Sequence, residues 1–398
     1  MTPDAPIHVL QIYHTRYPRI LGGIDTMLSH LMEGLVHQNR ISLLNPGDWQ
    51  QRNWSQVSHG GITLIHHYLA MPPTGPFSWK FIKDWLHTLI SFPRSLLAMS
   101  RYCRQQQVTV IHLHTLHSYG FYVYLLAKLG GPPYIVTLHG TDVLGFGRHK
   151  GLVRRLIKRV IAGAGKLVTV SESMLEPARR QLGENLPLVA IANGLPPPAT
   201  TSQPPSGRAL PGRFALMVGW LLPPKGIEMV VRSWAAIVAE QPDLHFVHVG
   251  SGHQNPFFDE KIKALAKQIA PDHIHLLGAL ESEALVEIYD RAELFLMPSY
   301  SEGLSYAFLE ATMRSIPVVL TRIPAFTLLA QEKTEALYCD VDGAEEFVKA
   351  VVQLAENPSE ARIMGRRLGK KMSERYSAAK MCQAYQAIYE EFCPGFGR

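Results

Sequence analysis

The segment ELFLMPSYSEGLSYAFLEATMRSIPVV, Glu293 to Val319, decides the fold. Glu293 to Pro298 reads as a buried strand, Ser299 to Ser305 as a turn around Gly303, and Tyr306 to Met313 as a helix. Glu302 then lies in the loop at the carboxyl end of a strand, with Glu310 about two turns further on at about 3.6 residues per turn. In open α/β sheets that crevice is where ligands bind. The amides of Gly303, Leu304 and Ser305 open the helix, where the partial positive charge of an N-terminus suits an anion. Carboxylates at each end of an anion site accept hydrogen bonds from sugar hydroxyls. The pair points to a phosphorylated, hydroxyl-rich ligand.

Around this segment the chain divides in two. Its 398 residues exceed one ordinary core, so two domains of about 200 residues are expected. Residues 196–212, rich in Pro, Ser and Thr without an apolar period, read as a linker between an N-terminal domain, 1–195, and a second domain, 213–377. Both open alike. Ile7 to Tyr13 alternates as a strand, a loop reaches Gly22-Gly23, and a helix runs from Ile24 to Val36. Phe214 to Leu221 is a strand, a short loop reaches Lys225-Gly226, and a helix runs from Ile227 to Ala239. Strands and helices alternate afterwards, which predicts two Rossmann-like, doubly wound parallel-sheet α/β domains facing across a cleft that is the natural active site. Neither half carries Gly-x-Gly-x-x-Gly after its first strand, which argues against a dinucleotide-dependent dehydrogenase.

Composition narrows the class. Apolar residues make up 46% and charged residues 18%, the balance of a soluble globular enzyme. No apolar run of about 18 residues occurs, the start MTPDAPIHVLQIY lacks signal-peptide order, and Cys103, Cys339, Cys382 and Cys393 form no metal spacing. A reducing cytoplasm is expected. In IHLHTLH, His112 and His114 share one strand face, with His117 just beyond. No further ligand with zinc-type spacing accompanies them, so no metal site is expected.

Glu302-GLSYAFL-Glu310, followed by Ala311 and by Pro317, Val318 and Val319, resembles the E-x7-E segment of retaining glycosyltransferases of family 4, which have the GT-B fold. Further landmarks of that family follow across nearly the whole chain. The resemblance implies that the second domain holds a nucleotide-diphosphate sugar. VGWLLPPKG, Val218 to Gly226, matches a motif in which an Arg and a Lys hold the diphosphate; Lys225 is present, and Trp220 stands in the Arg position, with Arg322 as one candidate replacement. Gly250 in VGSG corresponds to a glycine turn near the donor, and Gly278 in IHLLGAL to the strand end that faces the base. Glu302 is expected on hydroxyls of the transferred hexose and Glu310 on the ribose. Two departures from the family pattern, Ser315 in place of a Gly and Arg322-IPAF in place of Gly-Gly-x-x-Glu, leave sugar selection open.

For the first domain the resemblance implies acceptor binding. Gly22, Gly23 and Asp25 match the family's N-terminal glycine loop, Gly23 reaching the donor phosphates. In YIVTLHGTD, Tyr134 to Asp142, a β-branched strand delivers His139 to its carboxyl end, with Asp142 following; the matching histidine of relatives lies beside the anomeric carbon. His139 and Glu302 are therefore the expected catalytic residues, and His114 and Asp142 acceptor-side candidates. The last helix, Ala378 to Phe392 within 378–398, corresponds to the element that crosses back to the first domain in GT-B proteins. The implied reaction is transfer of a hexose to a hydroxyl with retention and without an obligatory metal or other cofactor. A catalytically weak nucleotide- or glycan-binding GT-B protein and a nucleotide-sugar epimerase are the alternatives.

Charge is unevenly shared. Residues 1–195 hold 19 Lys plus Arg against 9 Asp plus Glu, and residues 196–398 hold 20 against 24, so the net +6 divides as +10 and −4. The excess concentrates in two segments. Residues 76–104 interleave Trp79, Phe81, Trp85 and Phe92 with Lys80, Lys83, Arg94, Arg101 and Arg104; residues 148–166 set Lys150, Arg154, Arg155, Lys158 and Arg159 around Leu152, Leu156 and Ile157. Such helices either pack on the first domain's sheet with solvated basic faces or, with aromatics beside the basic residues, lie on an anionic membrane surface; no nucleic-acid partner is expected. A peripheral protein at the inner face of the cytoplasmic membrane, acting on a lipid-linked or cell-envelope glycan, is the expectation.

Overall fold

The structure is a computed structural model that describes residues 6–15, 17–18, 22–45, 54–69, 79–116, 119–198, 210–252 and 254–393. They form two units, Met1–Asn193 with Ala378–Arg398, and Gly194–Ser377. Residues 199–209 of the expected linker, and His117, lie outside the described residues.

The first unit carries β1 (His8–Ile12), β2 (Arg40–Asn45), β3 (Ser55–His59), β4 (Ile62–His66), β5 (Val110–His114), β6 (Tyr134–Leu138), β7 (Lys166–Thr169) and β8 (Leu188–Ala190). Their order in the sheet is β3-β4-β2-β1-β5-β6-β7-β8. β1, β5 and β6 are buried at every position, as expected where helices cover both faces of a parallel sheet. Between β1 and β2 the helix Gly23–Leu35 turns Met27, Leu28, Leu31, Met32 and Leu35 inward, a stripe of 3.6-residue period. The edge departs from the all-parallel expectation. β3 pairs antiparallel with β4 through Gly60 and Gly61, whose φ of +56° and +81° suit a tight two-residue hairpin turn. The His59-Gly60-Gly61-Ile62 sequence carried that signal.

The second unit carries β9 (Arg213–Val218), β10 (Leu244–Val249), β11 (Ile274–Leu276), β12 (Leu294–Met297), β13 (Val318–Thr321) and β14 (Leu337–Cys339), all parallel, in the order β11-β10-β9-β12-β13-β14. Chain direction reverses its march across the sheet at β9, so the switch point lies between β9 and β12. The helix Ile227–Glu240 packs Ile227, Val230, Val231, Trp234 and Ile237 into the core, each fully buried. Burying one such aliphatic side chain contributes roughly 1.5–3 kcal/mol. That core fixes the loops at the strand ends.

Candidate active site

The loops that follow β9 and β12 flank the switch point, where an open α/β sheet binds its ligand. The first ends in the short turn Pro223–Lys225 and Gly226, and the helix Ile227–Glu240 starts there. Gly226 has φ +74°, and a Cβ on it would lie 2.0 Å from the Pro298 carbonyl oxygen of the other loop. Only glycine fits that approach. The Tyr300 amide donates to Pro224 O at 2.8 Å, so the loops are tied together by backbone as well.

That contact brings Lys225 and Glu302 together. Lys225 Nζ donates to Glu302 Oε1 at 2.6 Å, with side-chain exposures of 24% and 9%, and Ser299 Oγ donates to the same oxygen at 2.7 Å. Both bonds fall on Oε1. Oε2 has no partner among the described residues. A cation and a carboxylate held at hydrogen-bond distance at the carboxyl ends of two strands can serve phosphate and hydroxyl groups of one ligand.

Tyr306–Met313 forms the expected helix, capped by Ser305 in extended conformation without a side-chain cap bond. Gly303 and Leu304 lie in the loop before it. Within that helix Glu310 keeps partial solvent contact, and its Oε2 accepts from the Tyr289 hydroxyl at 2.8 Å. Burial raises the Glu310 carboxyl above the usual glutamate range, against the opposing influence of the Tyr289 hydrogen bond and the Arg314 charge. Behind it, Arg314 sits 5.3 Å from the Tyr289 ring centroid and pairs with Asp290 at 3.1 Å. Sequence reasoning passed over Ser299 and Tyr289, since neither stands in a motif.

The remaining glycines expected on the donor side lie at the ends of β10 and β11. The Gly250 amide donates to Gly278 O at 2.9 Å, and the Gly219 amide to Val249 O at 2.9 Å. Positive φ at Gly219 and Gly278 stops β9 at Val218 and β11 at Leu276, short of the expected Leu221 and Leu280. Arg322 is engaged elsewhere: Glu332, Asp340 and Glu346 lie 2.6, 3.0 and 4.0 Å from its guanidinium. Its expected role as the replacement diphosphate cation is withdrawn on that ground. A cavity of about 880 Å³ opens at the amino ends of β9, β12 and β13, lined by Arg213, Leu294 and Pro317 among others, and contains none of the expected site residues.

In the first unit His114, His139 and Asp142 stand at the ends of β5 and β6, while the other acceptor-side candidates, Gly22 and Asp25, stand at the start of the helix Gly23–Leu35. The Asp142 carboxylate accepts from the His139 amide at 3.1 Å and from the Leu116 amide at 2.8 Å, tying the two loops. The rings of His114 and His139 stack at 5.7 Å and those of His112 and His114 lie 4.0 Å apart. Burial lowers all three, with His139 at about 4 despite the raising influence of Asp142, so each imidazole is neutral near pH 7. Asp25 accepts from Thr15 Oγ1 at 2.6 Å in the first turn of its helix. Gly22 caps that helix at φ −171°, a conformation open to any residue, and Gly23 begins it. No set of three His, Cys, Asp or Glu able to hold a metal ion is found among the described residues.

The known proteins agree with this architecture. Residues 22–194 match the family described as Glycosyl transferase 4-like domain, and residues 212–357 match Glycosyl transferases group 1. An uncharacterized glycosyltransferase of Methanocaldococcus jannaschii is 25% identical over 287 residues, 71% of this chain and 76% of its own. A GDP-mannose:cellobiosyl-diphosphopolyprenol alpha-mannosyltransferase of Xanthomonas oryzae pv. oryzae is 25% identical over 270 residues, 64% of this chain and 67% of its own. Among solved structures, sucrose-phosphate synthase of Thermosynechococcus elongatus superposes with a TM-score of 0.78 at 18% identity, over 97% of this chain and 98% of that one. HepE of Anabaena, in complex with UDP and glucose, does so with 0.75 at 13%, over 97% and 100%. Two family matches that together span most of the chain, on two parallel-sheet α/β units, show that the protein belongs to the group 1 glycosyl transferases and is a hexosyltransferase of GT-B fold.

Proposed function

We propose that the chain transfers a hexose, with retention, from a nucleotide-diphosphate sugar to a hydroxyl of a lipid-linked cell-envelope glycan. The observation that carries the donor assignment is the Lys225–Glu302 pair at the switch point, with Glu310 on the adjoining helix. As the sugar leaves, negative charge grows on the diphosphate and positive charge at the anomeric carbon. Lys225 and the amides of Gly303 to Ser305 offset the first through fixed electrostatics, so no divalent ion is required. The neutral ring of His139 accepts a hydrogen bond on the acceptor side without adding a positive charge beside the anomeric centre. The leaving phosphate helps deprotonate the incoming hydroxyl, which needs no carboxylate beneath the sugar.

The two glutamates are expected to act on different parts of the donor. Glu310→Ala weakens free nucleotide and nucleotide sugar alike, whereas Glu302→Ala spares free nucleotide and harms nucleotide sugar and turnover. Each loss is roughly 1.5–3 kcal/mol, the value of a hydrogen bond to a charged group. Calorimetry with a panel of nucleoside diphosphates and their sugars, run with and without chelator, measures this. Unchanged binding in both variants, or binding that chelator abolishes and metal restores, rejects the assignment.

The lipid-linked acceptor rests on the helix Trp79–Gln105. It exposes Leu86, Leu89, Ile90 and Leu97, each more than half exposed, on one stripe beside exposed Lys83, Arg94, Arg101 and Arg104. Phe92 does not join them; its ring packs 4.2 Å from that of Tyr122. The side chains of Trp79, Lys80, Phe81 and Trp85 lie outside the described residues. In the helix Gly151–Gly163, Val160 and Ile161 are buried while Arg154, Arg155, Lys158 and Arg159 face outward. No described helix is long and apolar enough to cross a membrane. An exposed apolar stripe edged by cations suits the surface of an anionic bilayer, at about 1 kcal/mol for each basic residue near it. The Xanthomonas relative, named for a diphosphopolyprenol substrate, supports the same acceptor class. Vesicle sedimentation is expected to show binding to anionic lipid, weakened by salt and by joint substitution of Leu86, Leu89, Ile90 and Leu97 with Ser. Indifference to lipid charge removes the membrane from the account.

A further inference from the structure

Beneath the His114–His139 stack runs a buried polar chain that the transfer reaction described so far does not use. His114 Nε2 lies 2.8 Å from Gln11 Oε1, and Gln11 Nε2 donates to the Tyr389 hydroxyl at 3.1 Å. That hydroxyl lies 2.7 Å from His112 Nδ1, and His112 Nε2 lies 2.7 Å from Thr137 Oγ1, which meets the Tyr385 hydroxyl at 2.9 Å. Gln11, His112 and Thr137 are fully buried, and Tyr385 and Tyr389 come from the helix Ala378–Glu391.

With the Gln11 amide nitrogen on Tyr389, donors and acceptors run along the chain in one direction. Gln11 Oε1 can only accept, so His114 must carry its proton on Nε2. The Gln11 amide nitrogen occupies a lone pair of Tyr389, whose single O–H is left to donate to His112 Nδ1. His112 then holds its proton on Nε2 and gives it to Thr137. The opposite sense, with the amide turned over, would protonate His114 on Nδ1. That atom, like His139 Nε2, is buried and has no hydrogen-bond partner within the described residues. Both stand on the last position of β5 and the first position after β6, where the acceptor-side loops begin.

We propose that Tyr389 is a positioning residue for transfer: through Gln11 it locks His114 in the Nε2–H tautomer, so that His114 Nδ1, beside the stacked His139 ring, offers a lone pair to a hydroxyl of the acceptor. This rests on the glycosyltransferase reading. A lone-pair nitrogen there, without a protein donor, selects a ligand that brings an O–H donor, as a sugar does, and disfavours a bare anion. The C-terminal helix therefore sets acceptor recognition although it touches no substrate itself.

The Tyr389→Phe variant removes the hydroxyl alone. Nitrogen-15 spectra of the ring nitrogens are expected to show one tautomer of His114 in the wild type and a mixture in the variant. With acceptor in hand, KM for the acceptor rises about tenfold while KM for the donor stays within twofold. A second pair covers poor folding of that variant. Gln11→Glu places a carboxylate on His114 and favours its imidazolium, against His112 and His139 on either side, the Tyr13 ring at 6.3 Å and the carboxylates Asp25 and Asp142 near Tyr13. Its activity is expected to be low at neutral pH and to recover as pH rises, whereas Gln11→Ala loses activity evenly across pH. An unchanged His114 tautomer in Tyr389→Phe, an Nδ1–H tautomer in the wild type, or superposable pH profiles for the two Gln11 variants overturns the proposal. A wild type with no turnover on any nucleotide sugar strikes the transfer reading instead, and the spectra still decide the tautomer.

Discussion

Lowering the pH from 7 to 5 is expected to cost the protein several kcal/mol of stability, with the first unit failing before the second. Three buried histidines and the half-buried His139 drive this. Burial lowers His112 and His114 well below the ordinary imidazole range and lowers His139 and His248 to about 4. In the unfolded chain each titrates at about 6.5. Between that value and the folded one, the unfolded state binds a proton that the folded state refuses, so stability falls as pH falls through the window. The stability is fully present above about 6.5. Each such group costs about 1.4 kcal/mol per pH unit. His248 alone then costs about 2 kcal/mol at pH 5, and His139, which keeps some solvent contact, somewhat less. Domains are commonly stable by only about 5–15 kcal/mol, so the sum is a large share. His112, His114 and His139 belong to the first unit and His248 to the second, which sets the order of failure. Denaturant midpoints at pH 7, 6 and 5, read by peptide-resolved hydrogen exchange in each unit, measure it. A midpoint indifferent to pH over that range, or a second unit that fails first, contradicts the burial of these rings.

The second unit was legible in sequence because its signals are local. A strand, a glycine turn and a helix in one stretch put Glu302 and Glu310 where they stand, and the helix Tyr306–Met313 has the bounds its periodicity predicts. Lys225 sits 77 positions from Glu302, yet both fall at strand carboxyl ends, and the switch-point rule brings such ends together. The partners that tune these groups were hidden. Tyr289 reaches Glu310 from another helix, and Ser299 reads as an ordinary turn residue. Alternation in IHLHTLH showed that His112 and His114 share a face, but not that Gln11 and Tyr389, 378 positions apart, meet beneath them. Periodicity tells which face a side chain takes and is silent about what waits there. Arg322 shows the reverse case: its place after β13 suited a phosphate, and three carboxylates from nearby loops and a helix claimed it.

Gly250→Ala and Gly278→Ala are expected to separate two reasons for glycine at the proposed donor rim. Both residues hold positive φ, +151° and +73°, where an L side chain is strained by roughly 1–2 kcal/mol. Their surroundings differ. A Cβ on Gly250 would lie 1.8 Å from the Gly219 carbonyl oxygen, whereas one on Gly278 meets nothing within 4 Å. At Gly250 the loops after β9 and β10 must part, which also breaks the Gly250–Gly278 and Gly219–Val249 backbone bonds, at about 1 kcal/mol each. The expected loss for Gly250→Ala is about 3–4 kcal/mol in the second unit, with nucleotide binding lost alongside. For Gly278→Ala it is about 1 kcal/mol, the backbone cost alone. The open space beside Gly278 is nevertheless where the base is proposed to approach. A methyl group there should leave the unit folded and still weaken nucleotide binding at least tenfold. Equal stability losses in the two variants would mean that the 1.8 Å approach is relieved at little cost. Full nucleotide affinity in a folded Gly278→Ala protein would move the base away from the end of β11, and with it the reading of this rim as the donor site.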